Sequence, residues 1–284
     1  MNNIELSTIY LPLLDKVYKQ ASKTAILEGD EATLKRGDNG EIKVAKLDMD
    51  ALGDFDRKSG YTKGSTTFRW ETIKYDKERS QDLRIDRLDN AEALKMPFAK
   101  LSSEFIRTKV VPETDAARIA KIAGVEGVSV KAEDLSTGEE VVSALRACAN
   151  RMDEDEVDAE NRILFITPTL RGMIKDLDTT KSREVLDKFS KIIEVPQSRM
   201  YTKIELKDGK TEFGYAKATD GKDINFMCVE KSAAVVHMDQ YIKYFSPDED
   251  QDGDDNVFKY RNNNLYGHVY ENKLAGIYVS HKTA

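Results

Sequence analysis

An α+β protein with parts that project from its main body follows from three features of this 284-residue chain. From Gly124 onward, amphipathic helical stretches mix with short apolar strands, as in an ordinary α+β domain. Just before it, residues 90–122 carry a single helical stripe, longer than a small globular core requires. Earlier still, "TTFRWETIKYDKERSQDLRID" at 66–86 reads as two β-rich strands crowded with charge, and no adjacent strand is available to widen the pair.

Composition bounds the function. Hydrophobic residues make up 40% of the chain, enough for a real core. Charged residues reach 33% with both signs interspersed, which suits a solvated surface or many polar contacts between like subunits. A net charge of -7 argues against tight, continuous neutralisation of nucleic-acid phosphates. No apolar run approaches the ~20 residues of a membrane span, and "MNNIELSTIYLPLLDK" lacks the basic start of a signal peptide, so a cytoplasmic product is expected. Cys148 and Cys228 have no CxxC spacing and read as small core residues.

The elements follow in chain order. Leu11, Leu14, Val17, Tyr18 and Ala21 form a short amphipathic helix, with Pro12 tolerable in its first turn. The next forty or so residues hold turn signals at Asp38-Asn39-Gly40 and Gly60 and one strand near Ile42 to Lys46. So long a connection is expected to lie extended over something else. Thr66 to Tyr75 and Gln81 to Asp86 then make a hairpin through "DKERS", with Phe68 and Trp70 on one face and Ile73 and Tyr75 on the other.

A capping box, Asp89 with Glu92, opens the long helix. Leu94, Phe98, Leu101 and Phe105 form its buried stripe; Pro97 falls early, and Pro112 bends or restarts it. Residues 90–122 would span about 50 Å at 1.5 Å per residue. A second box, Thr137 with Glu140, starts the helix carrying Val141, Val142, Leu145, Cys148, Ala149 and Met152. "DEDEVDAE" is a solvated connector, "RILFI" a buried strand, and "TPTLRGMIKDL" a helix capped by Thr167 with Pro168 first inside. Strands follow at "KIIEVP", "FMCVEKSAAVVHM" and "YIKYFS", and the chain closes with two strands about Glu271 to Asn272.

Chemistry is hard to place on these residues. Asp248, Asp250, Asp252 and Gly253 match positions 1, 3, 5 and 6 of an EF-hand loop, but position 12 is Lys259, so an acidic surface loop is expected. His237, His268 and His281 lack metal-ligand spacing and read as strand residues. Gly221-Lys222 is followed by Asp223 and is no P-loop. Trp70 with Phe68 lacks the basic surround of a base-stacking site and reads as a packing anchor. No catalytic residue, metal site or cofactor is expected.

Four segments in this order resemble one family: "GDFDRKSGYTKGSTTFRWETIKYDKERSQDLRIDRLDNAEAL", "EFIRTKVVPETDAARIAKIA", "NRILFITPTLRGMIK" and "KYFSPDEDQDGDDNVFKYRNNNLYGHVYENKLAGIYV". They are similar to the major capsid proteins of tailed bacteriophages of the Hong Kong 97 type, from about residue 41 to 279. The resemblance implies an N-terminal arm at 1–45, an extended E-loop at 46–86, and a spine helix with the first part of a peripheral (P) domain at 87–124. An axial (A) domain at 125–234 and closing P-domain strands at 235–284 complete it. It implies a shell subunit forming hexamers and pentamers, with the hairpin resting on a neighbour through Phe68, Trp70, Lys77, Glu78, Arg79, Arg84 and Asp86.

The same resemblance implies a virion protein assembled in the host cytoplasm, with portal and head-completion proteins as partners and packaged DNA touched weakly and without sequence specificity. No large N-terminal scaffolding segment precedes the arm, so a separate scaffolding protein is expected. No residue takes the Lys and Asn cross-linking roles known in some relatives. The alternatives are an encapsulin-like nanocompartment shell and, more distantly, a calcium-binding module at Asp248, Asp250 and Asp252.

Overall fold

A computed structural model describes Tyr18, residues 21–29, 34–36, 41–86 apart from 56 and 59, and 98–283 apart from 178, 250–252 and 254. Several expectations fall outside the described residues: Leu11, Leu14 and Val17, the turn at Asp38-Asn39-Gly40, the Asp89–Glu92 box, Leu94 and Pro97, and Asp250 with Asp252.

The first four strands are β1 (Leu34–Arg36), β2 (Glu41–Met49), β3 (Thr66–Lys74) and β4 (Lys77–Asp86). The long helix then runs as α1 (Phe98–Phe105), a π-helical turn (Ile106–Val110) and α2 (Val111–Ala123). Together these cover about 39 Å at 1.5 Å per residue. Pro112 sits at the start of α2. It lacks an N–H and its ring crowds the carbonyl four residues back, and the wider turn just before it relieves that conflict.

Beyond lie β5 (Ser129–Ala132), α3 (Gly138–Glu154), β6 (Arg162–Ile166), α4 (Pro168–Leu177), α5 (Thr180–Leu186) and β7 (Lys191–Glu194). The small pair β8 (Ile204–Leu206) and β9 (Tyr215–Lys217) comes before β10 (Ile224–Glu230), β11 (Ala234–Phe245), β12 (Asp255–Val269) and β13 (Ile277–His281). The expected Thr137–Glu140 box caps α3 in both directions, and α4 opens on Pro168 as its sequence requires.

One lobe is built on a five-stranded sheet in the order β5-β13-β10-β6-β7, antiparallel in the centre and parallel at both edges. Alternation along β6 and along β10 from Phe226 onward divides their side chains between two cores. Ile163, Phe165, Met227 and Val229 pack with Ile119 and Ile122 of α2. Leu164, Ile166, Phe226 and Cys228 pack with Leu145 and Cys148 of α3 and Leu170 and Ile174 of α4. Every residue of both strands is buried.

The other lobe rests on a three-stranded sheet, β11-β12-β4, against the long helix. Phe258 and Tyr260 of β12 meet Ile106, Val110 and Val111 there, with the Phe105 ring edge-on to Tyr260 at 5.7 Å. A third sheet, β1-β2-β3, makes the arm. Its root is held by Ile42 and Val44 against Val235 and Leu265.

Two expectations are corrected. The hairpin of 66–86 does not form: β3 pairs with β2, and β4 pairs with β12. Residues 66–86 are one extended run that passes between sheets at Tyr75-Asp76. Asp76 fixes the transfer, because its N–H donates to the Asn264 carbonyl at 2.8 Å and its carboxylate accepts from the Tyr266 N–H at 2.9 Å. The two closing strands form about the expected turn at Glu271, each with its own partners. The 3-10 turn Glu271–Gly276 sends the chain from β12 into the other sheet, where β13 lies between β5 and β10, so the segment 235–284 is divided between two sheets. The connection after the first helix also does not lie extended over something else throughout, since Leu27, Ile42 and Val44 are buried in cores of their own chain.

Candidate assembly interface

The arm runs from Glu41 to Lys74 and reverses at residues 50–65, not within 76–80. In its register, Ala45 faces Trp70, Leu47 faces Phe68, and Met49 faces Thr66. Directly opposed residues share a face, so these positions make one stripe. The opposite face at the root carries Ile42, Val44 and Ile73 into the body. Leu47, Met49 and Phe68 therefore face away from the described body of the chain.

Exposure along the stripe is what decides its meaning. Leu47 is 50% exposed, Met49 64% and Phe68 59%, and at the tip Leu52, Phe55 and Tyr61 reach 103%, 60% and 90%. A contiguous apolar surface on a projecting ribbon is the signature of a surface meant to be covered. The tip is nonetheless built to one shape. Ser65 N–H donates to Asp50 Oδ2 at 2.7 Å, Thr62 Oγ1 to the Asp54 carbonyl at 2.7 Å, and the Phe55 and Tyr61 rings meet edge-on at 5.2 Å. Gly60 takes φ +83°, the left-handed region that favours glycine, in this turn.

The sequence-predicted interface residues are split by this geometry. Phe68 and Trp70 stay together on the arm, their rings edge-on at 5.7 Å and 86°. The rest lie on β4, at the margin of the three-stranded sheet. Glu78 pairs with Arg261 at 3.1 Å and Arg84 with Asp82 at 3.4 Å, all partly exposed. Lys77 and Asp86 mark the two ends of the β4–β12 ladder, opposite Asn264 and Asp255.

Arg79 is different. Half-buried, it grips Glu113 of α2 with Nε at 2.7 Å and Nη2 at 3.2 Å, and donates Nη1 to the Lys207 carbonyl at 2.5 Å. Burial opposes its charge, and the hydrogen bond and charge of Glu113 outweigh it, so its pKa is raised. It ties the β4 margin to the long helix. Sequence reading missed Leu47, Met49, Leu52, Phe55 and Tyr61; their signal was apolar residues recurring through a turn-rich segment with no helical or strand core to enter.

A cleft of about 890 Å³ follows residues Glu78 to Leu83 along the free margin of β4, walled by Phe105, Pro112 and Phe213. Its half-buried ion pair, Arg79 with Glu113, is already satisfied. Among the described residues, no cluster of His, Cys, Asp and Glu could hold a metal ion. Cys148 and Cys228 are buried in the core between α3 and β10; hydrogen bonding to Cys228 and then burial push the Cys148 thiol well above its ordinary range. No helix among the described residues is long and apolar enough to cross a membrane.

No protein-family model matches this chain, and no curated protein does. Solved structures do. The chain is similar to a protein of the capsid of Cyanophage P-SCSP1u, with TM-score 0.61 and 13% identity over 88% of this chain and 85% of that one. It is similar to a protein of Mycobacterium phage Che8, with TM-score 0.55 and 14% identity over 89% of each. It is also similar to a virus-like particle from Pyrococcus furiosus, with TM-score 0.54 and 12% identity over 93% and 98%. The architecture is thus that of the viral shell proteins. More closely, it is the Hong Kong 97-type capsid fold.

Proposed function

We propose that this chain is the major capsid subunit of a tailed phage or prophage, many copies closing into an icosahedral shell around double-stranded DNA. Its role is structural. The observation that carries the reading is the arm: a ribbon whose Leu47, Met49 and Phe68 stay exposed among the described residues, on a fold shared with shell proteins. A second copy supplies the cover. Head-to-tail contacts of this kind close into rings, here hexamers and pentamers, and weak contacts suffice when each subunit makes several.

Phe68 and Trp70 anchor the contact, and the exposed charges of β4, Lys77, Glu78, Arg84 and Asp82, set its register. Asp86, at the end of β4, and Arg79, through its hold on Glu113, belong to the same margin. The net charge of -7 fits loose contact with the packaged DNA. A separate scaffolding protein, a portal and head-completion proteins are the expected partners of such a shell, which is assembled in the host cytoplasm and ends in the virion.

The test is electron microscopy of the purified protein beside a variant whose arm residues 48–67 are replaced by Asn-Gly, which closes β2 to β3 without touching β4. Rings or shells that vanish while circular dichroism is unchanged support the proposal. Undiminished assembly by the variant would sink it. The likeness to the Pyrococcus furiosus particle favours one second reading, a nanocompartment shell; particles with the absorbance ratio of pure protein, free of nucleic acid but holding a second polypeptide, would point there.

A further inference from the structure

Asp115 and Arg118 of α2 are both 0% exposed, deep in a protein whose other interior is mainly apolar. Burying a lone carboxylate is costly unless it is hydrogen-bonded, and Asp115 is fully engaged. It accepts from Ser22 Oγ at 2.7 Å, Lys23 N–H at 3.0 Å, Thr24 N–H at 3.2 Å and Thr24 Oγ1 at 2.6 Å. Arg199, from the five-stranded lobe, adds Nη1 at 3.1 Å. Arg118 donates to Thr24 Oγ1 at 3.3 Å and Glu28 Oε1 at 3.4 Å, and lies over the Tyr18 ring at 5.8 Å.

The residues so gripped reach both lobes and the neighbourhood of the arm root. Tyr18 belongs to the core under the three-stranded sheet, and Leu27 to the core under the five-stranded sheet. Gly29 donates its N–H to the Val236 carbonyl at 3.3 Å, beside Val235 at the arm root. Removing one member of such a network leaves a buried charge uncompensated, so its members hold one another in place. Here the network joins parts that each have an apolar core of their own.

We propose that Tyr18 and residues 21–29 are a lock that sets the angle between the two sheet-bearing lobes, with Asp115 as the residue that positions it. The lobe angle is what a subunit presents to its neighbours, so the lock bears on shell curvature; its test needs no assembly and stands apart from the shell reading.

The experiment compares the full chain with Asp115→Ala by hydrogen exchange, and by distance measurement between spin labels at Ser143→Cys on α3 and Lys243→Cys on β11, both exposed, the native cysteines being buried. The expected result is that the Leu27 and Gly29 amides exchange at least about tenfold faster while β6 and β10 keep their protection, and the label distances broaden. Thr24→Val, which removes the hydroxyl shared by Asp115 and Arg118, gives the same pattern more weakly and serves if Asp115→Ala does not fold. A freed segment with unchanged label distances would overturn the lock. So would uniform loss of protection in both variants, the mark of an ordinary folding residue.

Discussion

Two strands show how differently this chain uses the same secondary structure. β10, in the five-stranded sheet, is buried along its whole length, whereas β3, in the arm, is exposed at most positions. Both are rich in β-forming residues. The difference is what stands on either side: β10 lies between α2 on one face and α3 with α4 on the other, and among the described residues the apolar backing of β3 is at its root. A strand covered on both faces stabilises the subunit. A strand covered on neither for most of its length contributes its contacts elsewhere.

The comparison breaks most readily in the lobe. Phe165→Ala, at a fully buried position, is expected to cost about 3–5 kcal/mol in a denaturant titration. A loss under 1 kcal/mol would mean that the sheet is not the main store of stability. Next comes Thr137→Ala, which removes the box at the start of α3 and should cost about 1 kcal/mol, seen as a lowered Tm.

A smaller effect is expected at the arm root. His268 is held below the ordinary histidine pKa by burial, with Lys46 acting in the same direction and Glu71, Asp76 and Glu271 opposing it. The docked root therefore favours neutral His268. As pH falls through about 6.5, a released root takes up a proton that the docked one resists, and docking weakens. The single tryptophan, Trp70, reports this directly. Its fluorescence should shift on acidification from pH 7.5 to 5.5, and His268→Phe should flatten that response. The smallest effect on the isolated subunit belongs to Phe68→Ala, within about 0.5 kcal/mol of the parent, although it weakens assembly. Equal loss of subunit stability and particle yield would erase the distinction between the two strands.

Much of the fold was legible residue by residue. Thr137 with Glu140, Pro168, "RILFI" and the apolar spacing of α3 each specify a local structure that tertiary packing then accepts. The hairpin was not legible. Strand-forming residues on either side of Tyr75-Asp76 look alike whether they pair with each other or with strands brought from elsewhere. The deciding contacts, Asp76 with Asn264 and Tyr266, lie across a long sequence separation. The arm's apolar stripe was half legible: Phe68 and Trp70 stood out, while Leu47 and Met49 gained meaning only from the β2–β3 register.

By itself, the sequence determined the α+β character, the long helix with its disturbance at Pro112, and a charged, strand-rich segment unable to stand alone. These are local properties: propensity, capping and periodicity act within a few residues. Tertiary structure decided which strands pair, that β13 enters the far sheet, and that the interior carboxylate of Asp115 clasps the N-terminal segment. Those outcomes depend on which buried surfaces and unsatisfied polar groups meet once the chain has closed on itself, and no window of sequence contains both partners.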